Sequence, residues 1–261
     1  MNEQFKRKAE AIIATRKYNF PDLHMEFNIK FDSDTIPDEG EVSIYNLSPD
    51  SIARINKKNG IVLNAGYGDD LGSILDGVIT DVETYREGVD TVTKIKALNI
   101  TWEYLNKPIS YTYAPGATTT YLVKDLLQSA GNLKANINNP TNNLTYSRGF
   151  QAYGKIIDVL RRVVIESDSR LLVHGPSISV IPKKQGITLG FLLNSKTGLI
   201  KVEKIDKNDS VATHKIEMLL NHAIAPYSLI QVESTNLNGT VMVIEGEHKS
   251  DFTTEVEVMA L

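Results

Sequence analysis

Five histidines, His24, His174, His214, His222 and His248, are the side chains best suited to bind a metal or move a proton near neutral pH. Their spacing does not build a shared site. His214 and His222 stand too far apart for a one-turn helical pair, and no His-Glu-x-x-His run occurs. His248-Lys249-Ser250-Asp251 sets an imidazole near a carboxylate, but at what reads as a hairpin tip, where solvated turn residues are expected. The acid pairs Asp32/Asp34 and Asp206/Asp209 also fall in turn-rich segments. A glycosidase pair would have to meet across a cleft, and no aromatic-rich cleft signature accompanies them. Gly66-Tyr67-Gly68 begins like a nucleotide fingerprint, yet its third glycine is misplaced, no helix follows, and a Walker lysine motif is missing. Trp102, the sole tryptophan, reads as a packing anchor, and Arg161-Arg162 as a solvated helix face beside Glu166. Cysteine is absent, which removes disulfides, thiolate zinc sites and thiol catalysis together. The expectation is no catalytic residue, no metal site, no cofactor and no enzymatic activity.

The elements that would hold any such groups change period along the chain. Met25, Phe27, Ile29 and Phe31 alternate with Glu26, Asn28 and Lys30, which predicts a half-buried strand. A turn cluster follows, then a strand over 41–45 and Asn46-Leu47-Ser48-Pro49-Asp50, in which Ser48 caps a short helix with Pro49 at its first position. Strands over 61–67 and 74–85 flank the turn Gly68-Asp69-Asp70, so the first region reads as a small, nearly closed barrel. From Thr118 the pattern becomes helical. Leu122, Val123, Leu126, Leu127 and Ala130 share one face ended by Gly131, and Ile156, Ile157, Leu160, Val163 and Val164 share another. A hairpin over 170–174 and 177–181 brackets Gly175-Pro176 and completes an α+β insert. From about Gly198 strands return, over 199–205, 212–220, 229–233, 240–247 and 253–261, with no segment after them for a fused needle, lysozyme or peptidase.

A pattern occurs twice. Gly77 to Leu98 and Gly239 to Leu261 each run from a glycine through a β-branched stretch and a polar turn to an alternating run closing on Ala-Leu. Thr93, Ile95 and Ala97 alternate with Lys94 and Lys96, whereas Val256, Val258 and Ala260 alternate with Glu255 and Glu257. Two similar β-domains flanking an insert follow from this repeat, with boundaries at 1–106, 107–197 and 198–261, and they suit assembly more than chemistry. The opposed charges make Lys94, Lys96, Glu255 and Glu257 candidate contacts between barrels, at under about 1 kcal/mol per exposed pair.

The 261 residues suffice for two or three small domains, and a net charge of −4 creates no global basic field for nucleic acid. Lys6, Arg7 and Lys8 precede an apolar stretch, Ala11 to Ala14, that is too short for a signal-peptide core, and no run reaches membrane-spanning length. Synthesis in a cytoplasm without export is therefore expected, and triplets such as Asn99-Ile100-Thr101 carry no glycosylation meaning.

The segments so placed resemble the baseplate hub proteins of tailed phages, related to the trimeric hubs of contractile tails and of phage-tail-like bacteriocins. The resemblance is carried by 42–48 (VSIYNLS), 61–67 and 77–79, then by 196–200 (KTGLI), 218–221 (MLLN), and Asn238-Gly239-Thr240 leading to 246–251 (GEHKSD). It implies two tail-tube-like β-barrels flanking a small two-helix α+β domain. It also implies a homotrimer whose six barrels match a hexameric tail tube above and hold a threefold spike or tail tip below. Other baseplate proteins would be partners, and DNA or a tape-measure protein would pass through the central channel. The implied location is the virion tail, assembled in the host cytoplasm. The family often has Pro-Gly before the strand at 229–233; this chain has Pro226-Tyr227-Ser228, which puts that turn in question. The rival reading from the residues alone is a β-barrel module binding oligosaccharide or nucleic acid, for which Tyr85, Tyr111 and Tyr113 are the modest aromatic cluster.

Overall fold

The structure is a computed structural model that describes residues 6–32, 39–99, 104–131, 134–137, 140–174, 177–183, 185–205 and 211–261. Strand makes up 58% of the chain, far above the 20–25% usual in globular proteins, and three helices occur among the described residues, so the fold is mainly β. The chain divides into two compact units, residues 1–99 with 187–261 and residues 100–186.

The larger unit is a 13-stranded sheet. Its first part holds β1 (Arg7–Ile13), β2 (Arg16–Phe20), β3 (Met25–Phe31), β4 (Glu39–Tyr45), β5 (Gly60–Tyr67), β6 (Asp70–Glu87) and β7 (Asp90–Asn99), paired in the order β2-β1-β5-β6-β7-β4-β3. The strand predicted from the alternation at 25–31 is β3, with every second side chain buried. Met25, Phe27 and Ile29, with Ala11, Leu63, Val42 and Ile95, form one core. The two end strands of this path, β2 and β3, are consecutive in the chain. Four residues join them, with a cis Phe20–Pro21 bond and a Leu23 N to Asn19 O hydrogen bond of 2.9 Å. Between β4 and β5 lies α1 (Pro49–Arg54), capped by Ser48 with its side chain accepting from Ser51 N, as the sequence predicts.

The second part holds β15 (Ile187–Leu193), β16 (Leu199–Lys204), β17 (His214–Leu219), β18 (Ser228–Glu233), β19 (Asn238–Lys249) and β20 (Thr253–Ala260), paired in the order β15-β18-β19-β20-β17-β16. Again the end strands, β15 and β16, are chain neighbours, joined by residues 194–198. There Asn194 O accepts from Thr197 N and Leu199 N. Each part thus curls round its own core toward a seam between consecutive strands, and among the described residues no ladder closes either seam. The repeat seen in the sequence is the hairpin pair β6–β7 and β19–β20.

The two parts are joined by β19, which pairs with β20 along its length, with β18 at its start and with β3 at its end. They also exchange side chains. Phe252 and Leu220 from the second part sit in the first core, and Phe31 from the first part sits in the second core. The ring of Phe252 lies 5.4 Å from Phe20, 5.8 Å from Phe27 and 6.0 Å from Tyr67, whose hydroxyl donates to Phe252 O at 2.5 Å. Before β18, Tyr227 takes the left-handed conformation at φ +63° that glycine adopts freely, so the turn keeps that geometry with a tyrosine in it.

The smaller unit contains α2 (Thr119–Gly131) and α3 (Ile156–Glu166), whose predicted apolar faces pack together. They are joined by the sheet β10-β14-β13 (Lys134–Ile137, Ser177–Pro182, Ser169–His174) and the ribbons β8/β12 (Pro108–Tyr113, Phe150–Lys155) and β9/β11 (Ala117–Thr118, Thr145–Tyr146). Gly131 ends α2 at φ +137°, where a Cβ would stand 3.1 Å from the Tyr104 ring. Trp102, Asp34, Asp206, Asp209 and the Gly175-Pro176 turn lie outside the described residues.

Candidate functional site

Strands pleat, so residues paired across a ladder share a face. In the larger unit one face is core and the other carries charge in register. One row runs Asp81, Lys96, Glu41, Asn28, Lys249, across β6, β7, β4, β3 and β19. A second runs Lys30, Glu247, Glu255, Glu217, Lys201, across β3, β19, β20, β17 and β16, and beside it lie Glu245, Glu257, Lys215 and Glu203. The result is one charged face that crosses eight consecutive strands, β6-β7-β4-β3-β19-β20-β17-β16, and spans both cores.

Five of its lysines are held by its carboxylates. Lys94 and Lys96 both reach Glu41, at 2.9 and 3.3 Å. Lys249 bridges Glu247 at 2.8 Å and Glu255 at 3.0 Å, Lys215 also pairs with Glu255, and Lys201 meets Glu203 at 2.7 Å. The hydrogen bond from Lys94 draws the Glu41 carboxyl below its ordinary range, and the same bond raises the Lys94 ammonium. Burial pushes Glu255 up, but hydrogen bonds from Lys215 and Lys249 outweigh it and leave that carboxyl low. These pairs are half-exposed, so solvent weakens each of them.

The four residues singled out by the repeat, Lys94, Lys96, Glu255 and Glu257, all lie on this face. The chain does not bring the lysines to the glutamates. From β7 to β20 is four strand spacings, roughly 19 Å.

The other candidates are scattered. The His24 ring lies against that of Tyr45, tilted by 60° with ring centres 4.6 Å apart, His214 Nδ1 is 3.0 Å from Thr213 Oγ1, and His222 Nε2 is 2.9 Å from Asp70. His174 belongs to β13. His248 departs from the solvated turn expected of it. It is buried in β19, with Nδ1 2.9 Å from Thr254 Oγ1 and its ring 4.9 Å from that of Phe31, while Asp251 accepts from Thr253 N and Oγ1. The strand continues two residues past the predicted end, which carries the imidazole into the junction of the two parts. Arg162 donates to Gln151 O at 2.8 Å and lies over the Phe150 ring, and Arg161 is 3.8 Å from Asp158. Tyr113 is buried and donates to Asp125, Tyr111 is exposed on the same ribbon, and Tyr85 belongs to the other unit. Gly66 lets the β5–β6 hairpin close, since a Cβ there would stand 1.9 Å from Asp70 O. Among the described residues no group of three or more histidine, cysteine, aspartate or glutamate side chains could hold a metal, and no helix is long and apolar enough to cross a membrane.

A sheet built this way, two curled β parts sharing a long strand with an α+β unit inserted between β7 and β15, matches solved structures along its whole length. The tail protein from Neisseria meningitidis MC58 aligns with a TM-score of 0.69 at 7% identity, over 97% of this chain and 96% of that one. The tail protein of prophage MuSo2 from Shewanella oneidensis aligns with a TM-score of 0.70 at 8% identity, over 98% of each chain. The chain has the phage tail-protein fold. An Escherichia coli component of the type VI secretion system, similar in structure to the bacteriophage T4 tail proteins gp27 and gp5, shares it with a TM-score of 0.62 at 10% identity, over 96% of this chain and 76% of that one. No protein-family model matches the chain, and no characterised protein matches it in sequence. The tail-protein fold is thus shared at only 7–10% identity.

Sequence reasoning missed one feature of this face. A concavity of about 630 Å³ is lined by Glu26, Tyr45, Tyr85, Glu87, Lys94 and Asp251 among others. These residues come from β3, β4, β6, β7 and the β19–β20 turn, so no local pattern announces them.

Proposed function

We propose that the protein is a structural baseplate hub of a phage tail or tail-like particle, acting as a homotrimeric ring around a central channel. The observation that carries this reading is the eight-strand charged face, open at both ends. Among the described residues, 80–87 of β6 pair only with β7, and β16 pairs only with β17, so an unpaired edge stands at each end of the face. Unpaired edges seek partners, and a heterologous edge-to-edge contact that closes makes a ring. Three copies joined β6 to β16 give twenty-four strands. At about 4.8 Å per strand the ring measures roughly 115 Å around and about 37 Å across between backbones. Half a sheet-packing distance on each side leaves a passage of roughly 27 Å, enough for a DNA duplex or a helical tape-measure protein.

The charge on the face suits such a passage. Lys94, Lys96, Lys201, Lys215 and Lys249 are all held in ion pairs, and Lys30 stands in register with Glu247, so a polyanion finds no continuous cationic track to hold it. In this ring six β parts face a hexameric tube, and the threefold end is free for a spike or tail tip and for other baseplate proteins. A first barrel, an insert and a second barrel then follow one another with limits near 1–106, 107–197 and 198–261, except that β15 counts with the second barrel because it pairs with β18. The role is structural and needs no cofactor. Assembly takes place in the host cytoplasm and the protein ends in the virion tail; a bacteriocin-like particle would use it in the same way.

In this ring β7 of one copy and β20 of the next are again four strand spacings, roughly 19 Å, apart, so Lys94 and Lys96 act on Glu255 and Glu257 only through a field that solvent screens. Their share in the inter-barrel contact is under about 1 kcal/mol per pair. The Lys94→Glu, Lys96→Glu variant is expected to shift the trimer toward monomer, and unchanged assembly would refute that role. The reading as a whole is tested by light scattering with negative-stain images of the purified protein. A trimeric mass with ring-shaped particles is the expected result, and a monomer at every concentration, also in the presence of tube protein, would overturn it.

A further inference from the structure

We propose that the concavity of the charged face receives arginine side chains of an extended partner polypeptide. Its walls come from both β parts: Tyr45 on β4, Tyr85 and Glu87 on β6, Glu26 on β3, and Asp251 in the turn after β19. Tyr85 and Tyr45 stand in register on either side of Val92, which is fully buried although it is on the outer face. The two rings therefore cover an apolar floor; the Tyr45 ring has that of His24 4.6 Å away, while Tyr85, 39% exposed, leaves its own face available.

The charge around them is unbalanced. Of the two lysines that line the concavity, Lys94 is held by Glu41, and Lys249 by Glu247 and Glu255. Glu26 has the His24 imidazole at 3.4 Å, and among the described residues no ion pair engages Glu87 or Asp251. Burial and then the nearby carboxylates of Glu26 and Glu87 push the Tyr45 phenol up, which agrees with a negative potential inside the groove. An open aromatic face beside carboxylates suits a planar cation. A guanidinium stacks on a ring and offers paired donors to a carboxylate, whereas a lysine ammonium does the first less well and the second not at all. The concavity is an open groove rather than a closed pocket, which suits side chains projecting from a strand-like segment more than a free small molecule. The inference needs only the single chain, so it stands or falls separately from the ring.

The test uses the full chain and a fluorescein-labelled octapeptide of alternating serine and arginine, followed by anisotropy at low salt. Saturable binding is expected, with the lysine counterpart several-fold weaker. Tyr85→Ala is expected to weaken the arginine peptide about two- to fivefold, the loss of one exposed cation–π contact. Glu87→Gln is expected to weaken it by a similar factor. Glu217→Gln, on the same face but away from the groove, serves as control and should leave binding unchanged. Glu87 is exposed, so its variant keeps the test valid if Tyr85→Ala disturbs folding. Absence of saturable binding overturns the proposal. So does equal weakening by Glu87→Gln and Glu217→Gln, which would mean diffuse attraction to an acidic sheet.

Discussion

Replacing Phe252 by alanine tests whether the two β parts fold as one body. The side chain is 1% exposed, and its ring is surrounded by Phe20, Phe27 and Tyr67, all from the first part, with the Arg7 guanidinium 5.6 Å from its centre. Removing a buried phenylalanine costs about 3–5 kcal/mol through lost transfer energy and the cavity left behind. The site is ringed by other aromatics that cannot collapse far, so the upper part of that range is expected. A second substitution separates packing from backbone. Phe252 sits at φ +65°, where alanine carries a left-handed penalty of about 1–2 kcal/mol that glycine avoids. Phe252→Gly should therefore be no less stable than Phe252→Ala, the reverse of the order at an ordinary position, where glycine loses about 0.5–1 kcal/mol. The assay is hydrogen exchange read by peptide. Peptides from β3 and β4 and from β17 to β20 should lose protection together, while those of α2 and α3, which have their own core, should not. Loss confined to the β19–β20 hairpin, or a total change below about 1 kcal/mol, would refute the reasoning.

Other expectations concern smaller contacts. Gly72→Ala places a Cβ 2.1 Å from His222 Nδ1, so the imidazole must leave and its 2.9 Å contact with Asp70 is lost. The cost should be about 1–3 kcal/mol by thermal unfolding, with most of it recovered when His222→Ala is added; an additive double-mutant cycle would count against the clash. Burial raises the Asp76 carboxyl above its reference value of 3.8, so the folded state prefers the proton and the ionised group works against folding at neutral pH. Asp76→Asn should raise Tm at pH 7 and lose that advantage as the pH falls below about 3.8, where the carboxyl is protonated in both states; a gain that persists at pH 3 would point to another cause. Ser48→Ala removes the cap on α1 and should cost about 1 kcal/mol in urea unfolding.

Where the structure agreed with the sequence, the signal was local. The alternation at 25–31 became β3, the two apolar faces became α2 and α3, and Ser48-Pro49 became a capped helix start, because side-chain period and cap chemistry depend only on near neighbours. Local signals also failed where turn chemistry was unusual. The β1–β2 hairpin turns through Ala14 and Thr15 at φ +46° and +70°, a geometry normally announced by Asn-Gly, and so the hairpin was invisible. The strand β15 pairs in parallel with β18, roughly forty residues later, and carries Gly190 in the left-handed region, so its apolar residues gave no clean strand pattern.

By itself, the sequence determined that Lys94, Lys96, Glu255 and Glu257 stand on wet faces, since each alternates with buried neighbours. Only the tertiary structure decided what those charges meet: Glu41 for the two lysines, Lys215 and Lys249 for Glu255. The same holds for the exchange of Phe31 against Phe252 and for the groove between Tyr45, Tyr85 and Asp251. Which face a side chain takes follows from a two-residue period written into the chain. Which strand lies next to it depends on burying one whole surface against another, over separations at which neighbouring residues carry no information.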